Sequence, residues 1–135
     1  MVFVNGSGPI PYLDFAFPDV CKTPVLDIPV PIPYPNSALG PTAIPSQLVV
    51  FTMMMPSHNL LTIKPVSEGD TPGVELGVVG PFDMGATRHV FGSVNLFIGG
   101  PPATKMTSPT GQNGLAPNAL GATITPAQIV FISLS

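Results

Sequence analysis

Residues 28–35 read IPVPIPYP, a stretch in which proline returns at every second position. Each proline fixes its φ near about −65° and pushes the preceding residue toward the β or polyproline II region. The pattern extends on both sides, because residues 24–45 read PVLDIPVPIPYPNSALGPTAIP. Val30, Ile32 and Tyr34 alternate with the prolines and could press one apolar face onto a core. The sequence therefore predicts a stiff, extended segment, with a proline-rich linker or an SH3-type ligand as the alternative interpretation.

The whole composition favours strands and turns. The chain has 135 residues, including 19 prolines and 14 glycines, and only 8% of its residues are charged. Proline and glycine cost about 3 and about 1 kcal/mol inside a helix, so few helices are expected. An apolar content of 44% argues against disorder. We therefore predict a single all-β domain over residues 1–135, built from short strands with Pro/Gly-rich loops.

Charge and hydropathy exclude several functional classes. The net charge is −3 and the chain has four lysines and arginines in all, too few for a nucleic-acid interface. The N-terminus, MVFVNGSGPIP, has no positive region before its short apolar start, so no signal peptide is expected. No run of 18 apolar residues is present to span a bilayer. The expected location before any export is therefore the cytoplasm.

Three later segments resemble one another: PSQLVVF (45–51), SVNLFI (93–98) and PAQIVFI (126–132). They align on the amide side chains of Gln47, Asn95 and Gln128, and each follows a turn containing glycine or proline. This pattern predicts one β-unit used three times, and hence a body with approximate internal threefold symmetry. The strand segments near Leu48, Leu96 and Ile129 are expected to supply the core, with neighbouring faces forming a base.

One cysteine and two histidines could carry chemistry. Cys21 lies in FPDVCKTP, His58 in MPSHNL and His89 in TRHVFG. Thiolate and imidazole are zinc ligands, although this spacing is not that of a zinc finger, and a fourth ligand would have to come from an aspartate, Gln112, Asn113 or water. A Cys–His nucleophilic pair is a second interpretation. In a third, Cys21 is a buried apolar residue with no chemical role.

Six segments together resemble the PAAR-like family, in particular its PIPY-bearing branch, at the tip of bacterial type VI secretion spikes. These are FAFPDVCKTP (15–24), PIPYPN (31–36), ALGPTAIP (38–45), MPSHNL (55–60), TRHVFGS (87–93) and LFIGGPPATKMTS (96–108). The family's Pro-Ala-Ala-Arg motif is replaced by Pro102-Ala103-Thr104-Lys105, which keeps a positive residue at its end.

The resemblance implies a cone of short strands with approximate threefold symmetry. Its base would cap a trimeric VgrG-type spike protein, one copy per trimer, and its apex would point toward the target cell. The role would be non-enzymatic: sharpening the spike and helping to recruit or deliver effectors, directly or through adaptor proteins. The chain would be cytoplasmic before firing and then injected.

The resemblance also implies a zinc ion held near the apex by Cys21, His58 and His89. The third histidine of the family pattern is missing here, so a three-ligand site, a water ligand and a metal-free tip all stay open. Two alternative functions remain as well: the tip of a phage-related contractile injection particle, and a small metal-dependent enzyme that uses the same three residues.

Overall fold

The computed structural model describes residues 2–79, 84–114 and 117–134. Within these ranges the regular structure is almost entirely β, with one 3-10 turn at Gly40–Thr42, which confirms the predicted fold class. The strands of these ranges are β1 (Val2–Phe3), β2 (Leu13–Val25), β3 (Ile28–Leu39), β4 (Phe51–Thr52), β5 (Met55–Pro56), β6 (Ile63–Lys64), β7 (Thr87–His89), β8 (Pro109–Gln112), β9 (Ala119–Thr123) and β10 (Ile132–Ser133).

The principal sheet has six antiparallel strands in the order β3-β2-β9-β8-β7-β6. Two further pairs, β1 with β10 and β4 with β5, complete the strand pairing. The long β2–β3 hairpin turns at Leu26 and Asp27, which both have positive φ values. Positive φ at both central residues is typical of the tight type I′ hairpin turn, whose twist matches that of the flanking strands.

The alternating prolines lie on β3, at the edge of this sheet. Pro31 is paired with Lys22 and Pro33 with Val20 across the hairpin. The backbone groups of Lys22 and Val20 instead bond residues 75–78 on the other side of β2. In an antiparallel pair, the β3 residues opposite Lys22 and Val20 also point their N–H and C=O groups away from the partner strand. The N–H that Pro31 and Pro33 lack is therefore not needed for pairing with β2. The extended segment predicted from the sequence is therefore an edge strand that presents no outward N–H at Pro31 and Pro33, which hinders pairing with another chain there. Nearer its end, Ser37 N donates to Glu68 O, so that part of the edge is covered by this chain itself.

A β-bulge in β2 decides which of its side chains face inward. Ala16 pairs with Asn36 but Asp19 pairs with Tyr34, so the register shifts between Ala16 and Asp19. Before the shift, even-numbered Asp14 and Ala16 are buried; after it, odd-numbered Asp19 and Cys21 are buried. Because side chains alternate strictly along a strand, an extra residue exchanges the two faces. The bulge therefore places Asp19 and Cys21 in the interior.

The interior is more polar than apolar. A small apolar cluster contains Val4, Ile98 and Ala103, with Leu96 packed against it. Most other buried side chains carry hydroxyl, amide or charged groups, among them Asn5, Asn36, Thr62, Thr87, Thr110 and Gln128. Several of these amides bond the backbone of turns, as when Asn59 donates to Ile98 O at 2.8 Å. Short strands and many turns leave unpaired backbone groups inside, and polar side chains satisfy them.

The three similar segments are turns. The prediction that they supply the core was wrong for the first and third segments, whereas in the middle segment Ile98 belongs to the small apolar cluster and Leu96 packs against it. Leu48 is 66% exposed and Ile129 is 60% exposed, while Leu96 is half-buried. Gln47 Oε1 accepts hydrogen bonds from the N–H groups of Val49 and Val50, and Gln128 Oε1 accepts from those of Val130 and Phe131. Each amide thus holds its own turn closed, and the apolar residues that follow it point outward.

In the middle segment, the predicted alignment on Asn95 is shifted by two residues. Ser93 takes the place of the glutamines, and its Oγ accepts a hydrogen bond from Leu96 N at 3.2 Å. With that shift, the third residue after each turn-closing side chain is Val50, Leu96 or Phe131, so these three occupy equivalent positions. The next residues, Phe51, Phe97 and Ile132, are equivalent in the same way. The local repeat is present in the structure, whereas the threefold symmetry of the whole body stays a prediction.

Candidate functional site

Cys21 lies in a buried cluster with two aspartates. Its Sγ is 3.6 Å from Asp19 Oδ1 and 3.7 Å from Asp70 Oδ2, and all three residues are fully buried. Asp19 and Cys21 come from β2, and Asp70 comes from the loop between β6 and β7. Cys21 Sγ and one carboxylate oxygen of each aspartate all lie within 4.8 Å of one another. We refer to these three residues as the Asp–Cys–Asp cluster.

Three asparagine amides surround the carboxylates of this cluster. Asn113 Nδ2 donates to Asp19 Oδ2 at 2.7 Å and also to Asp70 Oδ2. Asn36 donates to Asp19 Oδ2, and Asn118 donates to Asp19 Oδ1 and to Val20 O. Amide donors stabilise carboxylates without neutralising their charge. The two carboxylates of the cluster are therefore buried and held in fixed orientations by amide donors.

The surroundings of Cys21 favour its protonated form. Burial and the nearby Asp19 and Asp70 carboxylates raise the pKa of the Cys21 thiol to about 12. A thiol in such a setting is not an activated nucleophile, because nucleophilic cysteines need positive neighbours that lower the pKa.

His58 is engaged at both ring nitrogens. Its Nδ1 lies 2.8 Å from the Tyr12 hydroxyl and its Nε2 lies 3.0 Å from Ser7 Oγ. Burial and the Lys64 ammonium lower the pKa of His58 to about 3, so the ring is neutral at physiological pH. In a neutral ring one nitrogen donates and the other accepts, which these two hydroxyl partners both allow.

His89 contacts a buried cation. Its Nε2 is 3.2 Å from Lys64 Nζ, and Lys64 forms a fully buried ion pair with Asp14. Burial, Lys64 and His58 together lower the pKa of His89 well below its ordinary value. In the part of the chain that the structure describes, its Nδ1 has no hydrogen-bond partner. The two histidines therefore belong to one network around Lys64.

The residues implied as zinc ligands do not fit a common metal ion. The ligand group around Cys21 contains Asp19 and Asp70, and neither His58 nor His89 belongs to it. A lysine ammonium stands beside His89 and would repel a metal cation. Of the two suggested amide ligands, Asn113 does lie at the cluster. Within the described ranges, both amide atoms of the buried Gln112 lack a hydrogen-bond partner.

The second candidate site is an apolar face formed by the three repeated turns. We define it as Val50, Phe51, Leu96, Phe97, Phe131 and Ile132, which line a concavity of about 320 Å³ together with Val4, Thr52 and Ile98. Phe51, Phe97 and Ile132 are each about half exposed, at 51%, 59% and 52%. Large apolar patches on a protein surface mark interaction sites. One chain thus presents three equivalent pairs of apolar residues around one hollow.

Sequence reasoning missed several residues of these sites. Asp19, Asp70 and Lys64 look like ordinary surface charges in the sequence, yet all are buried. For Asp19, its position two residues before Cys21 would be a usable signal if the segment were known to be extended, since alternate residues of a strand share a face. No local signal marks Lys64, because its partners Asp14 and His89 lie far away in the chain.

Comparisons with known proteins agree with this description. The family model described as the toxin PAAR-like domain matches residues 12–119, which is most of the chain. Comparison with the curated proteins and with the solved structures gave no match. In the described ranges, no helix has the length and apolar character needed to cross a bilayer. The chain therefore belongs to the toxin PAAR-like domain family and is a spike-associated, toxin-related protein of type VI secretion.

Proposed function

We propose that this protein is a non-enzymatic tip that caps a trimeric VgrG-type spike protein, with one copy bound per trimer. The observation that carries the proposal is the apolar face, in which one chain displays three equivalent turns around a single hollow. A partner with true threefold symmetry offers three identical sites, and three equivalent turns allow a single copy to engage all of them.

The chemistry of the exposed groups supports such contact. Aromatic residues are enriched at the centres of protein interfaces, and the face contributes Phe51, Phe97 and Phe131. The open end of a spike presents unpaired strand edges, which invite aggregation unless they are covered. A cap with an apolar face would bury both surfaces at once.

The surroundings of the reactive residues support a role without catalysis. The pKa of Cys21 is raised and both ring nitrogens of His58 are occupied, so neither is poised as nucleophile or base. Effector or adaptor recruitment is part of the proposal and rests on family membership. Its test is whether a spike reconstituted without this chain still retains its cognate effector.

The capping proposal is tested by native mass spectrometry of the full chain mixed with its trimeric spike protein. We expect a complex of one copy with three spike chains. Phe51→Asp, Phe97→Asp and Ile132→Asp, made singly, should each weaken binding by about 30-fold or more, the effect of losing a central anchor of about 2 kcal/mol.

Leu26→Asp is the matched control. Leu26 is 93% exposed at the hairpin turn, outside the apolar face, and its positive φ suits aspartate. This variant should bind like the unmodified chain. Absence of a complex with folded protein, or binding unaffected by all three face variants, would refute the proposal.

A further inference from the structure

Lys64 and Asp14 meet in the interior although their strands are far apart in the principal sheet. Lys64 lies on β6 and Asp14 on β2, with β9, β8 and β7 between them. In a flat sheet, four strand spacings would separate these two strands by about 19 Å. Both side chains are nevertheless fully buried and in direct contact. The sheet therefore curls until β2 and β6 face each other, and this pair joins them across the interior.

The contact brings an amine nitrogen and a carboxyl group together away from water. Lys64 Nζ touches Asp14 Oδ2, yet within the described ranges this oxygen accepts no hydrogen bond of normal geometry. Burial lowers the pKa of the Lys64 ammonium, against the opposing influence of the Asp14 carboxylate. Transfer of one proton from the nitrogen to Oδ2 removes both charges from the interior. It also leaves a neutral amine, which has the lone pair that a nucleophile needs.

The neighbouring side chains are those that an attack on the carboxyl carbon requires. His89 Nε2 is 3.2 Å from Lys64 Nζ, and the lowered pKa of His89 keeps its ring neutral. A neutral imidazole nitrogen at this distance can accept a proton from the attacking amine. Thr123 Oγ1 donates to Asp14 Oδ1 at 2.6 Å, and Asn5 Nδ2 donates to Thr123 Oγ1 at 3.4 Å. Thr123 thus supplies a donor to the oxygen on which negative charge develops.

We propose that Lys64 and Asp14 form an intramolecular isopeptide bond, an amide between Lys64 Nζ and Asp14 Cγ. The ammonium first gives one proton to Asp14 Oδ2, and the freed lone pair attacks Cγ while the carbonyl electrons move to Oδ1. His89 Nε2 takes a second proton from the nitrogen and returns it to Oδ2, which leaves with the electrons of the C–O bond as water. The carbonyl at Oδ1 then re-forms. The reaction releases one water molecule and needs no oxidant or other co-reactant.

The position of the pair favours amide formation over hydrolysis. Groups held in contact react with effective molarities of about 10⁵ M or more. Both side chains are fully buried, so little water is available to reverse the reaction. The bond would tie β2 to β6, close the curled sheet covalently and restrict the unfolded chain as other long-range cross-links do. This inference is independent of the capping proposal, because it concerns the interior and not the apolar face.

The intact mass of the unmodified full chain decides the proposal. Measured under denaturing conditions, it should lie about 18 Da below the mass of the sequence, because amide formation releases one water molecule. The Lys64→Met chain cannot form the bond and should have the full mass of its own sequence. Lys22→Met removes an exposed lysine instead and should keep the deficit. An unmodified chain of full mass, or a deficit that persists in Lys64→Met, would overturn the proposal.

Peptide mapping locates the lost water, since a succinimide formed at a single aspartate gives the same change in mass. Trypsin leaves the Lys64–Pro65 bond intact, so the linked product consists of residues 1–22 joined to residues 23–88. Its fragment ions should place the bond at Asp14 and Lys64. A deficit confined to one unlinked peptide contradicts the proposal. The mapping uses the unmodified chain, so it decides the question even if Lys64→Met does not fold.

Variants of the neighbouring residues test the assigned roles. His89→Gln removes the base and Thr123→Val removes the donor to Oδ1, and each should slow bond formation by about 100-fold or more, so that unlinked chain accumulates. His58→Gln is the control, because the His58 ring bonds Tyr12 and Ser7, and this variant should be linked like the unmodified chain. Complete linkage in His89→Gln would refute its role as the base.

Discussion

Gln47 and Gln128 make the same hydrogen bonds in two turns far apart in the chain. Each Oε1 accepts from the N–H groups two and three residues ahead, and each Nε2 donates to the carbonyl three residues ahead. Each Nε2 also reaches a neighbouring segment, at Ser57 O from Gln47 and at Val4 O from Gln128. The repetition lies in this bonding pattern as much as in the apolar residues that follow it.

Replacing Gln128 with leucine should destabilise the protein strongly. Gln128 is fully buried, and its loss would leave the N–H groups of Val130 and Phe131 and the carbonyl of Val4 without their side-chain partner. The carbonyl of Phe131 would keep its hydrogen bond from Val4 N. We expect Gln128→Leu to lower the free energy of unfolding by about 2–4 kcal/mol, since each unsatisfied buried group costs about 1–3 kcal/mol. Urea denaturation monitored by circular dichroism measures the change.

Gln112→Leu is the matched control for that variant. Gln112 is equally buried, but neither of its amide atoms has a hydrogen-bond partner among the residues that the structure describes. Replacing an unpartnered polar group with an apolar one of similar shape should cost little or stabilise. A loss in Gln112→Leu as large as that in Gln128→Leu would show that volume, not hydrogen bonding, sets the effect.

Alanine should not be tolerated at Gly40. A Cβ at this position would stand 2.0 Å from two atoms of the Tyr12 ring, which is itself fully buried. We expect Gly40→Ala to destabilise by about 1–3 kcal/mol, because an overpacked core must shift its neighbours. In Gly8→Ala, by contrast, the nearest contact is 3.6 Å away on the flexible Met55 side chain, so thermal unfolding of that variant should hardly change.

The ion pair between Lys64 and Asp14 should show strong coupling. Both side chains are fully buried, so Lys64→Met leaves the Asp14 carboxylate uncompensated and is expected to cost about 3–5 kcal/mol. The double variant Lys64→Met/Asp14→Leu removes both charges and should recover much of that loss. A double-mutant cycle measured by denaturant unfolding gives the coupling energy; additive losses would contradict a direct pairing.

Stability should decrease as the pH falls below about 6.5. Burial and Lys64 lower the pKa of His58 to about 3, so between these values the unfolded chain binds a proton that the folded chain excludes. Stability therefore rises with pH in this window, by about 1.4 kcal/mol per pH unit for a histidine that is fully excluded from protonation. His89 adds to the slope in the same direction, because its pKa is also lowered.

Denaturation midpoints measured from about pH 7 down to about pH 4 test this slope, with His58→Gln as the comparison. The variant should be less stable at neutral pH, because it loses the bonds to Tyr12 and Ser7. Its stability should nevertheless depend less on pH. An unchanged slope would show that carboxylates alone produce the acid sensitivity.

The sequence by itself determined the fold class and the family. Alternating prolines exclude helix through the φ angle and the missing N–H, which are local effects that need no partner. The three similar turns were also visible, because an amide followed by apolar residues is a local pattern. Their exposure to solvent could not be predicted, since a short apolar run in a turn cannot be distinguished by sequence from a buried strand until its neighbours in the fold are known.

Only the tertiary structure decided which residues form each site. The sequence suggested the two histidines as partners of Cys21. In the structure, the register shift in β2 places Cys21 and Asp19 in the interior beside Asp70. The Lys64 ammonium lies 3.2 Å from His89 Nε2, where a metal ion bound to that nitrogen would lie. Burial and charge pairing depend on contacts between segments distant in the chain, and hydrogen-bonded register, not local propensity, brings those segments together.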